Sequence, residues 1–181
     1  MKRVEGERES ALPQTNAERA SSGAAWRALR QTRPFHSRSQ EAAISILVAA
    51  ERLRRSITRV VEPFGVTHQQ YNVLRILRGV HPNPLPTLEI GDRMIESTPG
   101  VTRLLDRLES KGWVRRERCI ADRRQVHCRI TPAGLALLEQ LDPAIDLIDD
   151  RLAEVLDPQE IDSLVSLLDE VIEAYGDPTV P

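Results

Sequence analysis

Residues 97–118 read Ser-Thr-Pro-Gly-Val-Thr-Arg-Leu-Leu-Asp-Arg-Leu-Glu-Ser-Lys-Gly-Trp-Val-Arg-Arg-Glu-Arg, and two periodicities meet inside them. Val101, Leu104, Leu105 and Leu108 recur at i, i+3, i+4 and i+7, the spacing of a helix with one apolar face. Thr98 is a candidate N-cap and Pro99 suits the first helical position, so the spacing predicts a helix from there to about Lys111. Gly112 stops it, and Trp113 to Arg118 begin a strand. Val126, Cys128 and Ile130 then alternate with His127 and Arg129, the period-2 pattern of a half-buried return strand. Residues Ile120 to Gln125 lie between the two strands as a hairpin tip.

Upstream, a short helix is expected over about Thr87 to Ile95, with Leu88, Ile90 and Met94 facing inward and Glu96-Ser97 forming the turn. The prolines at 82, 84 and 86 exclude regular structure over His81 to Pro86. Before them, Thr67 and Gln70 have capping-box spacing and Val66 with Tyr71 hydrophobic-staple spacing, which opens a helix running to about Arg78. A longer helix covers about Ser39 to Pro63. Downstream, Thr131-Pro132 caps a long helix through Val155, and Asp157-Pro158-Gln159-Glu160 opens a last one to about Tyr175. The expected order is α-α-α-α-β-β-α-α: a mainly α fold with a small β-wing, a winged helix-turn-helix flanked by dimerisation helices. Its expected parts are a polar arm over 1–36 with a short helix around Ala17 to Arg30, dimerisation helices over 37–66 and 132–176, the winged element over 67–131, and a tail over 177–181.

Of the 181 residues 40% are hydrophobic but only 3% aromatic, so packing must rest on Leu, Ile, Val and Ala. No apolar run reaches the length of a membrane span, no secretory leader opens the chain, and two cysteines make no disulfide framework, so a cytoplasmic protein is expected. The net charge of -2 conceals a division. Residues 98–129 hold nine Lys/Arg against four Asp/Glu, an excess of +5, whereas residues 137–181 hold 13 acids against Arg151 alone, an excess of -12. One surface suits a polyanion and the other repels it.

Two short helices followed by a hairpin suit duplex DNA. The second helix fits a major groove roughly 12 Å wide and presents its N-terminal residues to base edges. Here these are Ser97, Thr98, Pro99, Gly100, Thr102 and Arg103, with Arg107 one turn on. Arg123 and Arg124 at the hairpin tip can reach a narrow minor groove, where the negative potential is enhanced, and Asp122 can orient a neighbouring arginine by a charge-assisted bond. The Leu-, Ile- and Val-rich first, fifth and sixth helices exceed what one small winged element can cover, which predicts a two-fold dimer with half-sites about 10 bp apart.

The stretch from Ser97 to Arg118, followed by Ala-Asp-Arg-Arg-Gln-Val-His-Cys-Arg-Ile-Thr-Pro-Ala-Gly at 121–134, resembles the MarR (multiple antibiotic resistance regulator) family of bacterial repressors. The likeness covers about residues 40–176. It implies a homodimer whose terminal helices interlock and whose two winged domains bind one pseudo-palindromic operator. By match, Asp122 and Arg124 take the places of the family's wing Asp-x-Arg. The resemblance also implies release by a small aromatic or anionic ligand held between the dimer helices and the winged domain, with Trp26, Tyr71, Asn72 and Arg75 as candidate walls. Some members, including a urate-responsive group, carry an extra N-terminal helix with a tryptophan, to which Ala24 to Arg30 are similar. Asn72 stands where that group has a ligand-binding aspartate, a departure that argues against urate.

Other classes are less well served. No phosphate loop, nucleophile elbow or triad anchor suggests an enzyme, and no cofactor is expected. The four histidines are dispersed, so no metal site is expected. A thiol-based regulator would rest on Cys119. In the expected hairpin Cys119 faces about Arg124 and Cys128 about Arg115, which puts the two cysteines about three or four residues out of register, roughly 10–13 Å at strand rise and beyond the roughly 7 Å Cα limit for a disulfide. A winged module that binds only protein is the competing class, and the basic excess on helix and hairpin weighs against it.

Overall fold

In a computed structural model, residues 23–96, 100–118 and 125–176 are described. The chain divides into two compact units, Met1–Leu53 and Arg54–Pro181. In the first, α1 (Ala24–Leu29) is closed by Arg30 in the left-handed conformation, and Trp26 meets Phe35 edge-on with centroids 6.1 Å apart. The part of the arm helix expected over 17–22 lies outside the described residues. Ser37 Oγ accepts from the Gln40 amide at the start of α2 (Arg38–Val61), which crosses into the second unit.

Pro63 converts the end of α2 into a single 3₁₀ turn, Glu62–Phe64, and Gly65 follows at φ 70°. Thr67 then caps α3 (His68–Gly79) with both bonds of a capping box, and Val66 and Tyr71 are buried on either side of that cap. The proline run does not exclude regular structure after all: Leu85–Pro86 form β1, paired antiparallel with Cys128 and His127. A sheet edge tolerates the missing proline donor. The helix after it, α4 (Thr87–Asp92), is shorter than expected and leaves Leu88 81% exposed while Ile90 and Met94 are buried. Residues two apart lie on opposite sides of a helix, so Leu88 and Ile90 could not both face inward.

α5 (Val101–Ser110) begins after Gly100, not after Thr98. Gly100 stands at φ 95°, outside the helical region, so it forms the cap itself. β2 (Val114–Arg118) and β3 (Val126–Ile130) form the expected hairpin, and the sheet runs β1-β3-β2. The register differs by one residue from the expected one: Cys128 faces Arg116, and Arg115 faces Arg129. Cys119, the other half of that expectation, lies outside the described residues.

Thr131 caps α6 (Pro132–Val155) through the Gly134 amide, and Asp157 and Glu160 exchange bonds of 2.9 Å at the start of α7 (Pro158–Gly176). Leu138, Leu141 and Ile145 of α6 join Leu74, Leu77, Leu105 and Leu108 in one core beneath the sheet. No described helix is long and apolar enough to cross a membrane. The architecture is a winged helix: mostly helical, with a small three-stranded antiparallel wing.

Candidate nucleic-acid interface

α5 is sharply two-sided. Leu104, Leu105 and Leu108 are buried and hold the helix on the core. Gly100, Thr102, Arg103, Asp106 and Arg107 are exposed on the other side. Gly100 leaves the approach to the helix open; an added Cβ would touch only the Arg103 side chain, at 3.9 Å. Ser97, Thr98 and Pro99 of the expected helix start, and Asp122, Arg123 and Arg124 of the expected wing tip, lie outside the described residues.

The basic residues of this region divide into tethered and free. Lys111 donates to the Gly65 carbonyl at 2.5 Å and sits 4.7 Å from the Trp113 ring centre. Arg129 is bonded to the Pro82 carbonyl, and Arg115 pairs with Glu117 at 2.9 Å. Arg116 is held by Glu109 and Asp106, whose hydrogen bonds and charges raise its pKa. Among the described residues, the side chains of Arg103, Arg107 and Arg118 hold no ion pair. The cations that remain available therefore lie along the outer face of α5 and at the end of β2 that leads to the tip. Arg118 and the engaged Arg116 were absent from the sequence-derived site; the acids at 106 and 109, three apart on one helix face, were the available signal for the latter.

The expected ligand residues of α3 are engaged within the winged unit. Tyr71 is buried in the core, its hydroxyl accepting from Arg75 Nη1 at 3.0 Å with the guanidinium 5.9 Å from the ring centre. Asn72 Oδ1 accepts from the Ile95 amide at 3.2 Å, tying α3 to the turn after α4. Trp26 belongs to the N-terminal unit. A cavity of about 330 Å³ lies between the end of α2, the start of α3 and Glu96, and one of about 590 Å³ between α4, Thr102 and the base of the wing. Tyr71, Asn72 and Arg75 line neither. In the smaller cavity burial lowers the His68 pKa, against the opposing pull of Glu96.

Cys128 is buried, and that burial pushes its thiol pKa up; its sulfur lies 3.7 Å from Thr87 Oγ1. Such a thiol is a poor nucleophile. Among the described residues no group of three or more His, Cys, Asp or Glu is placed to hold a metal.

A model of the MarR family matches residues 66–126, the stretch from the cap of α3 to the first residue of β3. The transcriptional regulator TtmR of Methylorubrum extorquens is 30% identical over 139 residues, covering 76% of this chain and 70% of its own. A MarR transcription factor from Planctomyces limnophilus has a similar structure, with 36% identity, a TM-score of 0.57, and coverage of 75% of this chain and 98% of its own. A cysteine-to-serine mutant of Escherichia coli MarR, solved with operator DNA, is 28% identical with a TM-score of 0.62 over 70% of this chain and 90% of its own. The family match spans the winged element and the two relatives at 30% identity or more extend over three quarters of the chain, which therefore belongs to the MarR family of transcriptional regulators.

Proposed function

We propose that this protein is a sequence-specific repressor that binds a pseudo-palindromic operator as a homodimer and leaves it when a small aromatic or anionic ligand binds. The observation that carries this reading is the exposed Arg103 and Arg107, without ion pairs among the described residues, on a helix whose opposite face is buried. In it, Ser97, Thr98, Pro99, Gly100, Thr102, Arg103 and Arg107 line the major groove. Asp122, Arg123 and Arg124 carry the wing to the flanking minor groove. The operator complex of the Escherichia coli relative supports the docking.

The dimer is supported by α7, none of whose residues is buried although Val165, Leu167, Ile172 and Tyr175 are large and exposed. An apolar stripe of that length normally has a partner. For the ligand we propose the polar pair Tyr71 and Arg75, with Asn72 beside them and Trp26 as a further candidate.

The test is selection of bound duplexes from random and genomic libraries, with the mass of the free protein measured by light scattering. An inverted repeat with half-centres roughly 10 bp apart, bound by a dimer, is the expected result. Addition of aromatic acids should lower retention. A monomer that retards no duplex at low salt would overturn the proposal.

A further inference from the structure

We infer that Arg116 is a positioning residue that locks the wing to the recognition helix α5, so that the two reading elements keep one fixed offset. Its consequence for DNA rests on the function proposed above; its geometry does not.

Arg116 lies in the middle of β2, an edge strand of the sheet. An edge strand leaves backbone donors without a strand partner, and here a side chain supplies one. The Arg116 amide donates to Glu109 Oε1 at 3.0 Å, while its Nε donates to Glu109 Oε2 at 2.7 Å. Nη2 lies 2.7 Å from Glu109 Oε2 and 2.7 Å from Asp106 Oδ1. Both oxygens of Glu109 are therefore engaged by one residue of the wing. Asp106 and Glu109 share a face of α5 because they are three residues apart. The Arg116 side chain is only 25% exposed.

An isolated surface ion pair contributes little, but a network that includes the backbone fixes an angle as well as a distance. Arg115 next door is the contrast: it pairs with Glu117 of its own strand and bridges nothing. The clamp has a second effect. Asp106 and Glu109 are acids on a helix that faces a polyanion, and Arg116 neutralises them in place, leaving Arg103 and Arg107 to set the local potential. A wing free to pivot would have to be ordered on binding, a cost met only on duplexes that engage helix and wing together.

The test uses Arg116→Met and Arg116→Lys on three duplexes: the selected one, the same with one base pair inserted between helix-read and wing-read positions, and a random one. Arg116→Met should weaken the selected duplex by roughly 3- to 30-fold, leave the random duplex near wild type, and shrink the penalty for the insertion. Arg116→Lys keeps the charge but not the fork, so it should tolerate the insertion as the Met variant does. Equal losses on all three duplexes would instead make Arg116 a phosphate contact. A lowered melting temperature with unchanged duplex ratios would make it merely structural. Either result overturns the inference. Should the wild type retain no duplex, the DNA reading fails by itself and amide exchange decides the clamp. The Arg116 amide should be protected in the wild type and exposed to fast exchange in Glu109→Leu; an unprotected wild-type amide overturns it.

Discussion

A single nitrogen of Arg78, Nη1, donates to both carboxylate oxygens of Asp142, at 3.0 and 2.7 Å, across 64 residues of chain. The pair ties α3, which buries the base of the winged element, to α6, one residue before Pro143 interrupts the hydrogen-bond ladder of that helix. Asp142 raises the Arg78 pKa, through its hydrogen bond first. Each partner is about one third exposed, which limits the gain. Asp142→Asn should cost about 0.5–1.5 kcal/mol in urea denaturation. A cycle with Arg78→Met checks the pairing, and strictly additive losses would show that the two groups do not interact.

Base reading and phosphate anchoring separate in the salt dependence. Arg103→Ala should cost about 1–3 kcal/mol on the selected operator and less on random duplex, as expected for a bidentate guanine contact. Arg124→Ala should weaken both and reduce the slope of log affinity against log salt by about 1. Titrations of each variant at several salt concentrations distinguish the two. Equal losses of Arg103→Ala on operator and random duplex would reassign it to a phosphate.

The wing packs on the start of α6 at Gly134, where an added Cβ would stand 2.4 Å from the Trp113 carbonyl oxygen and 2.8 Å from Ile130 Cγ1. Neither neighbour is the loose end of a side chain. Gly134→Ala should therefore destabilise by about 1–3 kcal/mol, as overpacking does. At Gly112 an added Cβ would meet nothing within 4 Å, but φ is 74°. Alanine there should cost only the left-handed strain, about 1–2 kcal/mol. Thermal melts of the two variants should show the Gly134 variant with disturbed Trp113 fluorescence and the Gly112 variant without it.

His68 gives the winged unit a pH dependence of known sign. Burial lowers its pKa, Arg54 adds to that effect, and Glu96 opposes both. A histidine whose folded pKa lies below the unfolded value near 6.5 binds fewer protons folded than unfolded, so stability falls as pH drops below 6.5 towards the folded pKa. Above 6.5 the slope from this group fades as the unfolded imidazole also loses its proton. His68→Gln should remove part of the loss between about pH 6.5 and 5 and leave the difference between variant and wild type constant above about pH 7. Parallel stability curves from about pH 5 to 8 would exclude the effect.

The parts of this fold legible in the sequence are those decided by neighbours in the chain. The Thr67–Gln70 and Asp157–Glu160 boxes are local hydrogen-bond exchanges, and the apolar spacing of Leu104, Leu105 and Leu108 is a property of one helix. What escaped depends on distant partners or on a single backbone angle. β1 is two residues long and exists only because β3 lies beside it. Gly100 caps α5 because its φ is positive, whereas Thr98 and Pro99 carry the more familiar capping chemistry. The hairpin register escaped because the sequence between 118 and 126 carries no two-residue turn signal. At the candidate site, the exposed arginines of α5 followed from periodicity. The tethering of Arg116 did not, because a strand residue and a helix face must first be brought together by the core.

A helix such as α7, none of whose residues is buried within its own chain, has too little local packing to hold its shape by propensity alone. If a second chain supplies that cover, the order of the C-terminal helix and the association of subunits become one equilibrium. Cellular concentration then governs more than occupancy: dilution would loosen the acidic stalk before it disturbed the winged element, and a scarce regulator would be a frayed one.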